Sequence, residues 1–130
     1  MESKWMLCKA AVAAAGGWIL YGLGGLDNAL ISLLVLMVLD YFTGLLKAWC
    51  AGKLSSATGF KGIAKKVMGL SVVALAFIIQ KLTGGAFALR EVVILFFIAN
   101  ESLSILENAA QAGLPIPQKL RDALEQLKSR

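Results

Sequence analysis

The amino-acid sequence predicts an all-α integral membrane protein with four transmembrane helices and a short C-terminal amphipathic helix. Of the 130 residues, 58% are hydrophobic, and the mean hydropathy is +0.75. The apolar residues gather in four long segments, and basic residues gather in every second connection between them. Because a chain of this length forms one domain, we expect a single membrane domain over residues 1–130.

Each of the four hydrophobic segments can cross a membrane, since a spanning helix needs about 20 residues, with a range of roughly 17–25. The segments cover about residues 10–26, 29–49, 64–82 and 86–110. The first is short and rich in Ala and Gly, so a three-span arrangement in which it lies flat on the membrane is an alternative. Its small-xxx-small spacings predict close helix packing. They are formed by Ala10, Ala13, Ala14, Gly17, Tyr21 and Gly25.

The basic residues predict which side of the membrane each connection occupies. With four spans and both termini in the cytoplasm, only Lys81 and Arg90 of the 13 Lys and Arg residues lie outside. The positive-inside rule favours this orientation. The net charge of +5 indicates anionic lipid rather than nucleic acid, because the basic residues lie at segment ends without an aromatic-interleaved patch.

Two connections outside the apolar segments carry structural signals. Gly52 to Lys66 mixes lysines with apolar residues, which fits either a solvated connector or a short interfacial helix. Residues 113–130 form a cytoplasmic tail, in which Pro115-Ile116-Pro117 ends the fourth helix. A new helix is expected from Gln118 to Lys128, with Leu120, Leu124 and Leu127 on one face. We expect this tail helix to pack on the membrane surface or on a neighbouring subunit.

The fourth segment carries a one-sided stripe of polar residues. At about 100° per residue, seven polar side chains fall within an arc of roughly 120°, as in an amphipathic helix. They are Arg90, Asn100, Glu101, Ser104, Glu107, Asn108 and Gln111. Ionisable groups in lipid cost several kcal/mol unless they face partners or water. The stripe therefore needs a companion surface or a wet lumen.

The second segment also contains polar residues. Asp40 lies near its middle, and Lys47 follows two turns later on the same side, with Thr43 and Gly44 beside that line. The cost of an intramembrane charge favours a functional or assembly role for Asp40. Lys47 is better explained as an anchor that extends to the cytoplasmic interface.

The partners of the charged residues in the stripe must come from other helices. Arg90 and Glu101 lie about 16 Å apart along one helix axis, so we consider Asp40 and Lys47 as candidate partners. The stripe either bonds helices together within one subunit or lines a lumen shared by several copies. The candidate assembly or pore-lining residues are Asp40, Thr43, Gly44, Lys47, Arg90, Asn100, Glu101, Ser104, Glu107 and Asn108.

The composition argues against catalysis and against cofactor or metal binding. The chain has no His, which removes the commonest general base and metal ligand. Cys8 and Cys50 lie in different segments without disulfide or metal-site spacing, so we expect both to be reduced. Neither a glycine-rich phosphate loop nor a nucleophile with a plausible base is evident. We therefore expect no enzyme activity, no cofactor and no metal.

Several motifs, taken together in order, resemble the phage-lysis and toxin-secretion holin family over roughly residues 29 to 127. They begin with Asp40-Tyr41-Phe42-Thr43-Gly44-Leu45-Leu46-Lys47-Ala48, Lys53-Leu54-Ser55-Ser56, Gly59, Lys61-Gly62 and Lys66. They continue with Phe97-Ile98-Ala99-Asn100-Glu101, Ser104-Ile105-Leu106-Glu107-Asn108 and Gly113-Leu114-Pro115-Ile116-Pro117.

The resemblance implies a small membrane protein that accumulates in the inner membrane of a bacterium. It would oligomerise into lesions that release an endolysin or a secreted toxin, with no necessary contact with that cargo. Many family members carry an acidic residue near the end of the third span, where this chain has Gln80-Lys81. Two other functions fit the residues: a small four-span transporter with an intramembrane carboxylate, and a membrane protein that docks a partner through residues 118–130.

Overall fold

The structure, a computed structural model, describes residues 1–128. These residues form five α-helices: α1 (Glu2–Gly22), α2 (Asn28–Cys50), α3 (Ser56–Leu82), α4 (Leu89–Gln111) and α5 (Gln118–Lys128). The predicted all-helical fold is confirmed. The last two residues of the predicted tail, 129–130, lie outside the described residues.

Helices α2 and α4 pack side by side and run in the same direction. Near the start of both helices Asp27 contacts Arg90, and further along both Asp40 contacts Asn108. Helix α3 runs the opposite way, because its late residue Gln80 contacts Arg90 while its earlier part reaches the middle of α4. Consecutive membrane crossings require this alternation of direction.

Helix α4 is the central element, and it contacts α2, α3 and α5. Aliphatic side chains fill the space between α2, α3 and α4, with Val73 and Ile94 fully buried. The buried core consists of Leu23, Leu30, Leu33, Met37, Val73 and Ile94. In lipid, such helix contacts are held by van der Waals packing and interhelical hydrogen bonds. The polar groups on α4 are therefore part of what joins the helices.

Helix α3 begins earlier than the hydropathy pattern indicates. The side chain of Ser55 accepts a hydrogen bond from the backbone N–H of Thr58 at 3.2 Å, which is the usual N-cap contact. The expectation of a connector or separate interfacial helix over Gly52 to Lys66 was wrong, because residues 56–66 are the first part of α3. A cap supplied by one serine extends the helix into a stretch whose composition is polar.

Helix α1 lies at the edge of the bundle. Among the described residues it contacts α3 near its C-terminal end, and residues 1–15 are all exposed. The close packing predicted for its small residues was wrong within this chain, since Gly17 has open space around it. Gly24 and Gly25, both with positive φ, turn the chain from α1 into α2.

Helix α5 folds back against α4 of the same chain. Arg121 and Leu124 are half-buried, while Lys119 and Leu120 are exposed. The structure thus gives the tail helix a partner within the chain; its expected packing on the membrane surface or on a neighbouring subunit stays a prediction.

Two of the described helices, Asn28–Cys50 and Ser56–Leu82, are long and apolar enough to cross a membrane, as judged by length and composition. The other two long helices of the described chain contain more charged residues: α4 carries Arg90, Glu91, Glu101 and Glu107, and α1 carries Glu2, Lys4 and Lys9.

Candidate functional site: two ionic clusters along α4

The polar stripe of α4 turns toward the neighbouring helices over most of its length. Arg90, Glu101 and Asn108 are buried, and Asn100 and Ser104 are half-buried. At the C-terminal end of the stripe, Glu107 and Gln111 are exposed. Every buried side-chain nitrogen or oxygen within residues 1–126 has a hydrogen-bond partner. In this structure, the buried polar side chains of the stripe therefore form their hydrogen bonds with other groups of the protein.

Lys66 joins the three central helices through one ammonium group. Its Nζ lies 2.7 Å from Oδ2 of Asp40 on α2 and 2.8 Å from Oε2 of Glu101 on α4. All three side chains are largely shielded, with 17%, 14% and 9% exposure for Lys66, Asp40 and Glu101. Because charge-assisted hydrogen bonds are roughly twice as strong as neutral ones, this contact is the main polar connection of α3 to its neighbours.

Asn108 completes what we call the Lys66 cluster, which consists of Asp40, Thr43, Lys66, Glu101 and Asn108. The Nδ2 group of Asn108 donates to Oδ1 of Asp40 at 3.1 Å and to Oγ1 of Thr43 at 2.9 Å. Thr43 in turn donates to the backbone carbonyl of Asp40 at 3.1 Å. A Cβ at Gly44 would lie 3.7 Å from the Asn108 amide, in ordinary contact. The cluster thus joins α2 directly to α4.

Two cavities flank the Lys66 cluster. One, of about 220 Å³, lies between α2 and the start of α3; the other, of about 410 Å³, lies between α3 and α4. Asp40, Gly62, Lys66 and Ser104 line both cavities. Each is large enough for several water molecules, and the charged side chains of Asp40 and Lys66 offer such water hydrogen-bond partners. The ionic contacts therefore lie between two spaces that can hold water.

Arg90 forms the second cluster, which we call the Arg90 cluster, and it uses all of its donors. Its Nη1 and Nη2 donate to the two carboxylate oxygens of Asp27 at 2.8 and 3.2 Å. Nη2 also donates to the carbonyl of Gly25 at 2.9 Å, and Nε donates to the carbonyl of Leu23. A longer contact of 3.4 Å reaches Glu91. Arg90, which is 2% exposed, thereby fixes the α1–α2 turn onto α4.

Asp27 has two roles in this turn. Its Oδ1 also accepts the backbone N–H of Leu30 at 2.9 Å, which caps α2. The hydrogen bonds from Arg90, followed by that from the Leu30 N–H, hold the pKa of the Asp27 carboxyl below its ordinary value. The carboxylate is thus favoured over the neutral acid in the folded chain.

The start of α4 is capped by a residue of another helix. Ala88, at the N-cap position, has no side-chain acceptor. The Oε1 atom of Gln80 on α3 instead accepts the backbone N–H of Arg90 at 2.9 Å. Gln80 lies in the Gln80-Lys81 pair, the region in which the resemblance implies an acid in many family members. Here the neutral amide of Gln80 supplies the acceptor that a helix start requires.

The candidate partners were correct in part for Glu101, since Asp40 lies in the same cluster, and they were wrong for Arg90. Glu101 pairs with Lys66, which also holds Asp40, and Arg90 pairs with Asp27. Lys47 is half-buried beside the smaller cavity, and no ion pair within residues 1–128 involves it.

Sequence reasoning missed Lys66 because it counted this residue among the basic residues of a loop. One signal could have found it. The face of α3 that packs inward repeats every three or four residues, and Lys66 lies on that repeat. The repeat consists of Gly62, Lys66, Gly69, Val73 and Ala76, each half-buried or buried.

The described residues hold no group of three or more His, Cys, Asp or Glu side chains suited to a metal ion. Cys8 and Cys50 are free and exposed. What the two clusters can do is hold helices together through charges whose partners lie on different helices. The fold and its apolar helices are those of an α-helical membrane protein, and its buried charges are paired within the described part of one chain.

The family follows from comparison with known proteins. Residues 17–129 match the bacteriophage holin family, and the chain belongs to this family. Holins are not enzymes. No solved structure matches the chain significantly.

Similar proteins occur in several bacteria. A 14.9 kDa protein of the nagH 3′ region of Clostridium perfringens is 38% identical over 131 residues, which cover 100% of this chain and 99% of that protein. Lin0175 of Listeria innocua is 38% identical over 119 residues, covering 92% of this chain and 85% of that protein. YqxH of Bacillus subtilis is 39% identical over 97 residues, covering 75% and 69% respectively.

Proposed function

We propose that this protein is a holin that oligomerises in the bacterial inner membrane and forms lesions through which an endolysin or a toxin leaves the cell. The observation that carries the proposal is the family match over residues 17–129. The partners it implies are further copies of the chain and a bilayer containing anionic lipid. The released protein need not touch the holin.

The geometry of α4 supports a change from a resting monomer to an open assembly. In the monomer, the buried part of the polar stripe bonds to α2 and α3. A hydrogen bond to another copy or to lumen water could replace the contact with α3, because a hydrogen bond to a charged group makes a net contribution of only about 1.5–3 kcal/mol. Crowding of many copies would then favour lesions in which the edge from Asn100 to Glu107 faces shared water.

The charge distribution supports an orientation with both termini in the cytoplasm. In that orientation the Arg90 cluster faces outward, and the Lys66 cluster and the lysine-rich start of α3 lie toward the cytoplasm. Anionic lipid on the cytoplasmic leaflet would attract this side. The orientation also requires α1 to cross the membrane, whereas the three-span alternative leaves it on the surface.

The decisive experiment expresses the chain in a bacterium under an inducible promoter, with and without a co-expressed endolysin. A holin should depolarise the membrane abruptly after a delay, and it should lyse the cells only when the endolysin is present. Gradual, saturable and selective flux without cell death would instead support a four-span transporter. A stable complex with a partner and unchanged permeability would support a docking protein.

A variant of the polar edge tests the role of α4. Replacing Asn100, Glu101 and Glu107 with Leu, Met and Leu should abolish depolarisation while leaving membrane insertion intact, because the lesion would lose its polar wall. Lys66 keeps its pairing with Asp40 in this variant. The matched control is Glu91→Met, which removes an exposed acid of the same helix outside the polar arc. Unchanged depolarisation in the triple variant would contradict the proposed role.

A further inference from the structure

The two ends of α3 are held by very different contacts. At its C-terminal end, the Gln80 side chain caps α4 at 2.9 Å, and the Lys81 ammonium lies over the rings of Tyr21 and Phe77, at 5.4 and 4.9 Å from their centroids. Val73 and Ala76, within the same half of the helix, are buried in the core. This half of α3 is fixed by packing as well as by polar contacts.

The N-terminal half of α3 is held mainly by Lys66. Residues 51–68 include no buried residue, and the first buried residue of α3 is Gly69. Gly59 and Gly62 let Tyr41 of α2 come close, and a Cβ at Gly59 would lie only 3.1 Å from the tyrosine hydroxyl. Contacts made by glycines bury little side-chain surface. Lys66 therefore supplies most of the attraction at this end.

Lys66 also keeps two like charges compatible. Its ammonium is shared by the carboxylates of Asp40 and Glu101. If α3 moved away, both carboxylates would lose their cation, and each would need water or a proton in its place. The cavities on either side of the ammonium offer room for the water that would hydrate the separated charges. The contact thus has two distinct arrangements, one ion-paired and one hydrated.

We propose that α3 is the moving element of the resting protein: it pivots at its Gln80 end, and Lys66 is the latch that holds its other end on α2 and α4. This inference rests on the proposed function, since the release of the latch is the step that uncovers the polar stripe of α4. Helices α2 and α4 stay joined throughout, because Arg90 holds Asp27 at one end and Asn108 holds Asp40 further along.

Cross-linking at each end of α3 tests the proposal. Both native cysteines are first replaced by serine. One variant then carries Tyr41→Cys with Gly62→Cys at the latch end. Its matched control carries Thr83→Cys with Ala86→Cys at the pivot end, where the backbone N–H of Ala86 donates to the carbonyl of Thr83 at 3.4 Å and the Gln80 cap is left in place. A cleavable methanethiosulfonate cross-linker joins each pair in cells, and membrane potential is followed after induction.

We expect loss of depolarisation when the latch end is cross-linked, recovery when a reductant cleaves the link, and unchanged onset when the pivot end is cross-linked. An unchanged onset of depolarisation with the latch end cross-linked, or an equal loss of depolarisation with either end cross-linked, would contradict the proposal that α3 pivots at its Gln80 end. The cysteine-free chain without cross-linker is tested in parallel. If that chain never depolarises the membrane, the proposed function fails, and this result is distinct from a failure of the pivot.

Charge variants provide a second test that does not depend on cross-linking. Lys66→Met removes the ammonium that holds α3, so the onset of depolarisation should come several-fold earlier. Adding Asp40→Asn and Glu101→Gln removes the repulsion between the two carboxylates but does not restore the latch, so the onset should stay earlier than in the wild-type chain. Membrane fractions measured in parallel establish that both variants insert. An inserted Lys66→Met chain with wild-type onset would overturn the role of Lys66 as the latch.

Discussion

The substitution Asp27→Asn removes the negative charge that faces Arg90 while keeping a side chain of nearly the same shape. Asparagine keeps an oxygen that can cap α2 through the Leu30 N–H, but it removes the negative charge beside Arg90. Arg90 stays buried, at 2% exposure, with the Leu23 and Gly25 carbonyls still bonded to it. The substitution therefore tests how much the chain depends on neutralising this one buried cation.

The expected loss of stability in Asp27→Asn follows from the contacts that Asp27 makes with Arg90. Each charge-assisted hydrogen bond contributes about 1.5–3 kcal/mol, and leaving a buried ion without its partner costs about 3–5 kcal/mol. The side chain of Asp27 is 50% exposed, so solvent screens the pair and the full value does not apply. We expect the free energy of unfolding to fall by about 2 kcal/mol.

The assay is a titration of the purified protein in mixed micelles with sodium dodecyl sulfate, followed by helical circular dichroism. Glu91→Gln is the matched control, because its contact with Arg90 is long, at 3.4 Å, and its side chain is 50% exposed. The control should change the free energy of unfolding by less than about 0.5 kcal/mol. If Asp27→Asn is as stable as the control, the folded chain does not depend on the Asp27 carboxylate to neutralise Arg90.

The pH dependence gives a second signature of the same residue. The folded-state pKa of Asp27 lies below its ordinary value of 3.8, so the unfolded chain binds the proton more readily. The stabilisation is therefore complete above pH 3.8 and is lost as the pH falls through the still lower folded-state pKa. Asp27→Asn should lack this acid-dependent loss, and wild-type and variant stabilities should converge at low pH.

Three further predictions concern the turn, the cap and the orientation. Gly24→Ala and Gly25→Ala both place alanine at positive φ, which should lower the free energy of unfolding by roughly 1–2 kcal/mol. Gly24→Ala should be the more destabilising of the two in the same titration, because its Cβ would meet the Arg90 guanidinium that fixes the turn. Gln80→Leu should lower the free energy of unfolding by about 1 kcal/mol, because α4 loses its cap, whereas Gln80→Glu should retain wild-type stability. Equal stability of the two variants would contradict the role of Gln80 as the cap of α4. To test the orientation, two chains are prepared, one with Leu26→Cys and one with Cys50 as its single cysteine. With both termini in the cytoplasm, a membrane-impermeant thiol reagent should label Leu26→Cys but not Cys50 in intact cells. The reverse pattern would show the opposite topology.

The direction of the polar stripe on α4 could be predicted from sequence, but its partners could not. A helical period places Glu101 and Asn108 on one side of their own axis whatever surrounds the helix. Their partners depend on how each neighbouring helix is rotated and how far it slides along α4. Lys66 shows this dependence, because it reaches Asp40 and Glu101 only when α3 begins at Ser56 and packs antiparallel to both other helices.

Composition and spacing were enough to predict the helical class, the apolar segments, the polar side of α4 and the family. These properties are local to a single stretch of chain. The contacts between helices were needed to find that Asp27 neutralises Arg90, that Lys66 serves two carboxylates, and that α1 lies at the edge of the bundle. Such contacts form between residues distant in the chain, and the free energy that selects them comes from packing and charge pairing between whole helices.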